Sequence, residues 1–176
     1  MKSDEQLMLE YQAGSPPAFE ELFSRYRNPI YGFFRRRLNN AARAEELAQE
    51  TFVVILRGRE QYEPQAKFRT YLYAIAIKQL WSERRKEIRA GRFAAEPQET
   101  SHESDPSTAL WIRGALEQLD VDHREVLMLR EYEQLSYDEI AEVLTVPVNT
   151  VRSRLSRARG ELKALLASQS ARGVTR

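Results

Sequence analysis

The chain has no cysteine, which excludes disulfides, thiol catalysis and cysteine-built zinc modules together. Histidine is almost missing as well. His102 and His123 are the two present, and they do not stand at a spacing such as His-x3-His that would seat a metal on one helix face. Neither a metal nor a cofactor is expected. Glycine-rich phosphate loops are absent, and no Ser/His/Asp set falls in a recognisable turn, so an enzyme is the least supported class. No apolar run approaches the roughly 20 residues that span a bilayer. Met1-Lys-Ser-Asp-Glu opens on a capped polar helix and not on a signal peptide. No membrane insertion and a cytoplasmic location are therefore expected. Net charge is close to zero, at +1, so bulk charge is silent about partners.

What is present is helical periodicity. Apolar residues make up 42% of the chain and charged ones 30%, enough for compact helical cores with a heavily solvated surface. Ser3 with Gln6 forms a capping box for a first helix that Gly14 can end. Ser15-Pro-Pro starts a second, with Phe19, Leu22, Phe23, Tyr26, Ile30, Phe33 and Phe34 inward and a kink expected at Pro29. A third runs from about Arg43 to Gln61, burying Leu47, Phe52, Ile55 and Leu56, with Pro64 closing the segment. A fourth covers about Phe68 to Arg89, with Leu72, Ile75 and Ala76 inward. From Gly91 to Ser107 the apolar pattern stops, and two prolines and four acids lie in Ala94-to-Pro106. Such a stretch cannot bury enough surface to order itself and is expected to be a flexible acidic linker. Beyond it come a helix with Leu110, Trp111, Ala115 and Leu116 and another with Val126, Leu127 and Leu129. The expected fold is all-α, with two small helical modules at 1–90 and 108–170, a linker at 91–107 and a tail at 171–176.

The most informative stretch is Leu135 to Arg159, which reads as two short helices joined by a tight turn. Ser136 caps the first with Glu139 completing the box, and Ile140, Ala141 and Leu144 give it one apolar face. Pro147 suits the first turn of the second helix, where a missing N–H costs nothing. There Val151, Leu155, Ala158 and Leu162 line one side, and Asn149, Arg152, Ser153, Ser156 and Arg157 line the other. This is the layout of a DNA-binding helix-turn-helix, whose second helix enters the major groove. Charge switches at the same point. From Thr108 to Val146 nine acids stand against three arginines, whereas from Pro147 onward seven bases stand against Glu161 alone. A basic stripe that begins at the recognition helix is the footprint of phosphate contact. A solvated arginine-rich helix closing a bundle is the bland alternative.

Several segments, in matching order, resemble the extracytoplasmic-function sigma factors of bacterial RNA polymerase. Ala44-Glu-Glu-Leu-Ala-Gln-Glu-Thr-Phe52 is similar to the family's acidic Asp-Ala-Glu-Asp-Leu-x-Gln-Glu-x-Phe segment, which docks on the clamp helices of the largest polymerase subunit. Phe68-Arg-Thr-Tyr-Leu-Tyr-Ala-Ile-Ala76 resembles the helix that melts and reads the −10 element. Arg124-Glu-Val, Leu135-to-Ala141 and Asn149-to-Arg159 resemble the module that reads the −35 element. There are departures. Arg43 stands where the family segment opens with Asp, and Tyr71 replaces a Trp. Lys78 and Ser82 fall where Asn and Asp are common, and Gln134, Thr145 and Asn149 fall where the family has Gly. Thr, being β-branched, tolerates positive φ poorly, so the turn at Thr145 is expected to be tighter or shifted.

The resemblance gives each surface a role. Glu45, Glu46, Gln49 and Glu50 would form an outward acidic patch for core polymerase, fast and salt-sensitive in docking. Tyr71, Tyr73, Lys78, Trp81, Arg84 and Arg85 would serve the −10 element, since opened bases are held by aromatic faces with cations nearby. For Tyr73 and Trp81, core packing is the competing reading. On the recognition helix Arg152 and Arg157 would meet guanine edges or phosphates, and Asn149 could pair with adenine. Thr150, Ser153 and Ser156 join that face, while Arg154 and Arg159 would grip phosphate. The implied partners are core polymerase (clamp helices and the flap of the second-largest subunit), promoter DNA and an anti-sigma factor. A stand-alone helix-turn-helix regulator and a sigma mimic that titrates an anti-sigma factor are the alternatives.

Overall fold

The computed structural model describes residues 1–64, 67–91 and 106–173, and every regular element among them is helical. They divide into two compact units, the first holding the helices before residue 91 and the second most of those after it.

In the first unit, α1 (Asp4–Gln12) begins at the expected capping box, with Ser3 Oγ accepting from Gln6 N at 3.2 Å and Gln6 Oε1 accepting from Ser3 N at 3.0 Å. Gly14 ends it at φ +99, and Ser15 N–H returns to Glu10 O at 3.0 Å. A left-handed residue followed by this six-to-one bond is the Schellman stop. α2 (Pro16–Arg35) starts at Pro16 and runs through Pro29 without ending. α3 (Ala41–Arg57) is capped by Asn40, whose side chain accepts from Arg43 N. It stops at Gly58 and gives way to a single 3-10 turn, Arg59–Gln61, so the helix expected to reach Gln61 is shorter. α4 (Phe68–Arg89) has the bounds its pattern predicts.

α2 packs on α1 and α3, and α4 packs on α3. Leu22, Ile30, Phe33 and Phe34 of α2, Leu47 and Ile55 of α3 and Phe68, Leu72, Ile77 and Leu80 of α4 are buried together with Leu7 and Met8 of α1. Burying each large apolar side chain is worth about 1.5–3 kcal/mol. Three expectations differ in detail. Leu56 is 39% exposed, one position past the stripe that ends at Ile55. Ile75 is half-buried, and the core stripe of α4 passes through Ile77 instead. Phe23 is 39% exposed, although its ring meets Phe52 edge-on at 4.8 Å. α1 also fastens distant segments: Glu5 Oε1 accepts from Phe68 N at 3.1 Å, satisfying one open N–H of α4. Gln12 Nε2 donates to the carbonyls of Arg59 at 2.6 Å and Tyr62 at 2.9 Å.

Beyond residue 105 come α5 (Pro106–Glu117), α6 (Val121–Glu131), α7 (Tyr137–Leu144) and α8 (Val148–Gly173). α5 takes up Pro106 and Ser107, which the pattern had assigned to the linker, because proline fits a first helical turn. Otherwise the expected linker lies mostly outside the described residues. α8 continues into the expected tail as far as Gly173. Leu110 is 53% exposed rather than inward. Val126, Leu127 and Leu129 of α6 and Val151, Leu155 and Ala158 of α8 are buried, and α6 and α5 both pack against α8.

Candidate nucleic-acid and partner surfaces

The helix-turn-helix is built locally. Ser136 Oγ accepts from Glu139 N at 3.2 Å and Glu139 Oε2 accepts from Ser136 N at 2.7 Å, so the expected box closes. α7 ends with Val146 N–H on Ala141 O at 3.0 Å, and Thr145 takes φ +56. Thr145 thus adopts the left-handed conformation that glycine would normally supply, and the turn keeps its geometry rather than shifting. Gln134 does the same between α6 and α7 at φ +53, where Arg130 Nη1 braces the turn by donating to Leu135 O at 2.8 Å. Asn149 needs no positive φ, since it lies in the first turn of α8. Pro147 sits one residue before α8, and its carbonyl accepts from Thr150 N at 2.9 Å.

On α8 the buried stripe Val151, Leu155 and Ala158 leaves Asn149, Arg152, Ser153, Ser156 and Arg157 exposed, with Thr150 half-buried. Arg152 Nη1 donates to Asn149 Oδ1 at 3.2 Å, which couples the two side chains expected to read bases. The arginines then separate into two kinds. Arg154 pairs with Asp122 at 2.5 Å and Arg159 with Glu131 at 2.9 Å. These acids lie near the two ends of α6, so each pair adds an exposed contact between α8 and it. The hydrogen bond that Arg159 donates to Glu131, with a second to Tyr137, raises its pKa. His123 Nδ1 lies 3.0 Å from Glu161 and adds a third α6–α8 contact. No carboxylate pairs with Arg152 or Arg157 among the described residues. Arg154 and Arg159 reach a phosphate by exchanging one of these exposed carboxylates for it, a small cost at such exposure.

On α4 the helical period sorts the residues expected at the −10 element. Tyr73 is 3% exposed and its ring lies 5.7 Å from that of Phe33. It is a core residue and offers no open face to a base. Arg84 follows Tyr73, Ile77 and Leu80 on the same stripe and is half-buried. Lys78 and Arg85 are exposed, seven residues apart on one stripe with Tyr71, and Trp81 beside them is half-buried. The Tyr71 ring packs 5.4 Å from Tyr62, and burial pushes its phenol pKa up.

On α3, Glu45, Glu46, Gln49 and Glu50 are all exposed, as the pattern requires of an outward patch. Glu45 and Gln49 form one wall of a cleft of about 350 Å³ whose floor and far side include Phe23, Arg27, Tyr31 and Phe52. The patch therefore borders an apolar depression, with Phe23 and Tyr31 39% and 38% exposed. Arg43, which the sequence marks only as a departure from the family segment, is a cation bonded among these acids. Arg43 Nη1 donates to Glu46 at 2.8 Å and Glu50 at 3.2 Å, while its Nε and Nη2 both reach Glu83 of α4 at 2.8 Å. No cluster of acids and histidines suited to a metal occurs among the described residues.

The comparisons with known proteins agree with this geometry. Residues 22–90 match the family model for sigma-70 region 2, and residues 109–162 match that for sigma-70 region 4. The chain is 32% identical to the RNA polymerase sigma factor CarQ of Myxococcus xanthus, over 90% of this chain and 95% of that one. It is also 32% identical to the RNA polymerase sigma-H factor of Pseudomonas aeruginosa, over 90% and 91%. Among solved structures it is similar to CnrH, in complex with the cytosolic domain of CnrY, with a TM-score of 0.77 at 25% identity over 95% of this chain and 99% of that one. The fold is also that of the sigma factor RpoE of Bartonella quintana, solved with the anti-sigma factor NepR, at a TM-score of 0.75 and 23% identity over 85% and 96%. A helix-turn-helix with an exposed reading face, a preceding helical unit with an acidic patch and a match to both sigma-70 regions converge: the chain belongs to the extracytoplasmic-function, group IV, sigma factors, which direct promoter-specific transcription initiation.

Proposed function

We propose that residues 1–90 bind core RNA polymerase and the −10 element, and that residues 108–170 read the −35 element. The exposed face of α3, Glu45, Glu46, Gln49 and Glu50, meets the clamp helices of the largest subunit. Tyr71, Lys78, Trp81 and Arg85 serve the opened −10 strand from the outer side of α4. Asn149, Thr150, Arg152, Ser153, Ser156 and Arg157 face the −35 major groove, while the flap of the second-largest subunit holds this unit in place. The protein works in the cytoplasm, without catalysis of its own. The observation that carries this reading is the exposed, carboxylate-free pair Arg152 and Arg157 on a recognition helix whose other face, Val151, Leu155 and Ala158, is buried.

The test is transcription from a template carrying −35 and −10 elements, with the chain, core polymerase or both. Transcripts are expected only with both. Sequence-specific binding of duplex by the chain alone, with no demand for polymerase, would identify an ordinary helix-turn-helix regulator instead. Reversing Glu46 and Glu50 to Lys should abolish association with core polymerase while helical content stays intact, and unchanged co-purification would remove α3 from the interface.

Control is assigned to an anti-sigma protein that contacts both units. Support comes from the CnrH neighbour, which was solved with a bound protein partner. Promoter output should change when neighbouring genes are deleted or overexpressed, and constant output would sink this assignment.

A further inference from the structure

The acidic face of α3 carries its own counter-ion. Arg43 stands in the first turn of that helix and engages all three guanidinium nitrogens in four bonds. Nε and Nη2 take the two oxygens of Glu83, and Nη1 takes Glu46 and Glu50. The two ends of the fork are not alike. The Glu83 side chain is 12% exposed, whereas Glu46 and Glu50 are 61% and 52% exposed. A two-point guanidinium–carboxylate pair out of water is costly to break, because it strands both charges. Single contacts to wet carboxylates are weak and exchange readily. Hydrogen bonding to Glu83 raises the pKa of Arg43, and the same bond holds Glu83 below the usual carboxylate range. Both therefore stay charged at neutral pH, and the two-point pair with Glu83 favours keeping the cation on this face.

We propose that Arg43 is a specificity-setting competitor on the docking face: it occupies Glu46 and Glu50 in the free protein, and a cationic partner docks by taking both carboxylates from it while Glu83 retains the guanidinium. This rests on the reading of α3 as the polymerase-binding helix. A partner whose cations reach both carboxylates together wins the exchange. One offering only diffuse positive charge meets the repulsion of a fixed guanidinium, which discriminates by penalising the wrong partner. Glu45 and Gln49, on the cleft side, are not engaged by Arg43 and remain open for first contact.

The experiment titrates the full chain with core RNA polymerase at several salt concentrations. The double variant Arg43→Leu, Glu83→Leu removes the fork, leaves net charge unchanged and strands no carboxylate at the Glu83 end. It should bind core polymerase about two- to tenfold tighter at low salt, the scale of two exposed ion pairs released from competition. The difference should close as salt screens the exposed carboxylates. Arg43→Gln should move the same way. A residue that merely tied α3 to α4 would instead weaken binding and stability together. Unchanged or weaker binding in either folded variant overturns the proposal. Glu45→Lys, beyond the reach of Arg43, separates the two readings. If it weakens binding while the Arg43 variants fail to tighten it, only the competitor role falls. If it leaves binding intact, the face itself is wrong and both fall.

Discussion

Thr145 and Gln134 hold φ of +56 and +53 without being glycine, a conformation that costs a side-chain-bearing residue roughly 1–2 kcal/mol. Thr145→Gly should stabilise the protein by about 1 kcal/mol in urea unfolding, after the extra entropy of an unfolded glycine is subtracted. Gln134→Gly should gain less, since Gln is not β-branched. A loss of stability at Thr145→Gly would mean that the threonine side chain contributes more than its backbone strain removes. At the reading face, Arg152→Ala or Arg157→Ala should weaken use of the −35 element by about 1–3 kcal/mol and relax one promoter position each. Arg159→Ala should act alike on all promoters, and it should also lower the melting temperature slightly because it unties α8 from Glu131. Uniform loss in all three across altered templates would assign reading to Asn149, Ser153 or DNA shape. Glu83 gives a pH signature. Its folded pKa is depressed by Arg43, so its contribution is present above the ordinary glutamate value of about 4.3 and is lost as pH falls through the folded value. Glu83→Gln should flatten that part of the acid-unfolding curve, and an unchanged acid limb would contradict it.

At the scale of elements, caps matter most where the helix is short. α7 has eight residues, too few to persist without packing and caps. Ser136→Ala should cost about 1 kcal/mol, visible as a lower urea midpoint, and should weaken −35 use with it. An unchanged midpoint would show that Glu139 and the packing of Ile140 suffice. Caps and stops were legible in the sequence because they are local: Ser3 with Gln6, Gly14 and Ser136 with Glu139 each act within a few residues. The buried stripes of α2 and α8 were legible for the same reason. The third helix ends at Gly58 and not at Gln61, although a glycine after the last apolar turn is itself a local stop signal. Tyr73 could be sorted from Tyr71 and Lys78 only by knowing which side of α4 meets α2 and α3. The pairs that set the candidate surfaces, Arg43 with Glu83 and Arg154 with Asp122, join residues far apart in sequence. No periodicity encodes such a meeting.

For the whole molecule, near-zero net charge conceals a division of labour between an acidic patch and a basic stripe. Association with polymerase and with promoter should both weaken with salt, but differently. Promoter binding should follow the counterion-release law, with a slope near −0.9 for each phosphate neutralised. Arg159→Ala should make that slope shallower by about one unit only if the arginine leaves Glu131 for phosphate. An unchanged slope would assign it wholly to α6. Glu5 supplies an acceptor for the first turn of α4, and Gln12 holds the carbonyls of Arg59 and Tyr62. The residues that fasten are synthesised well before those they fasten, so these bonds close only once the start of α4 has emerged. Trimming or tagging that pulls α1 away would therefore be felt some 50 to 60 residues downstream, where α4 begins.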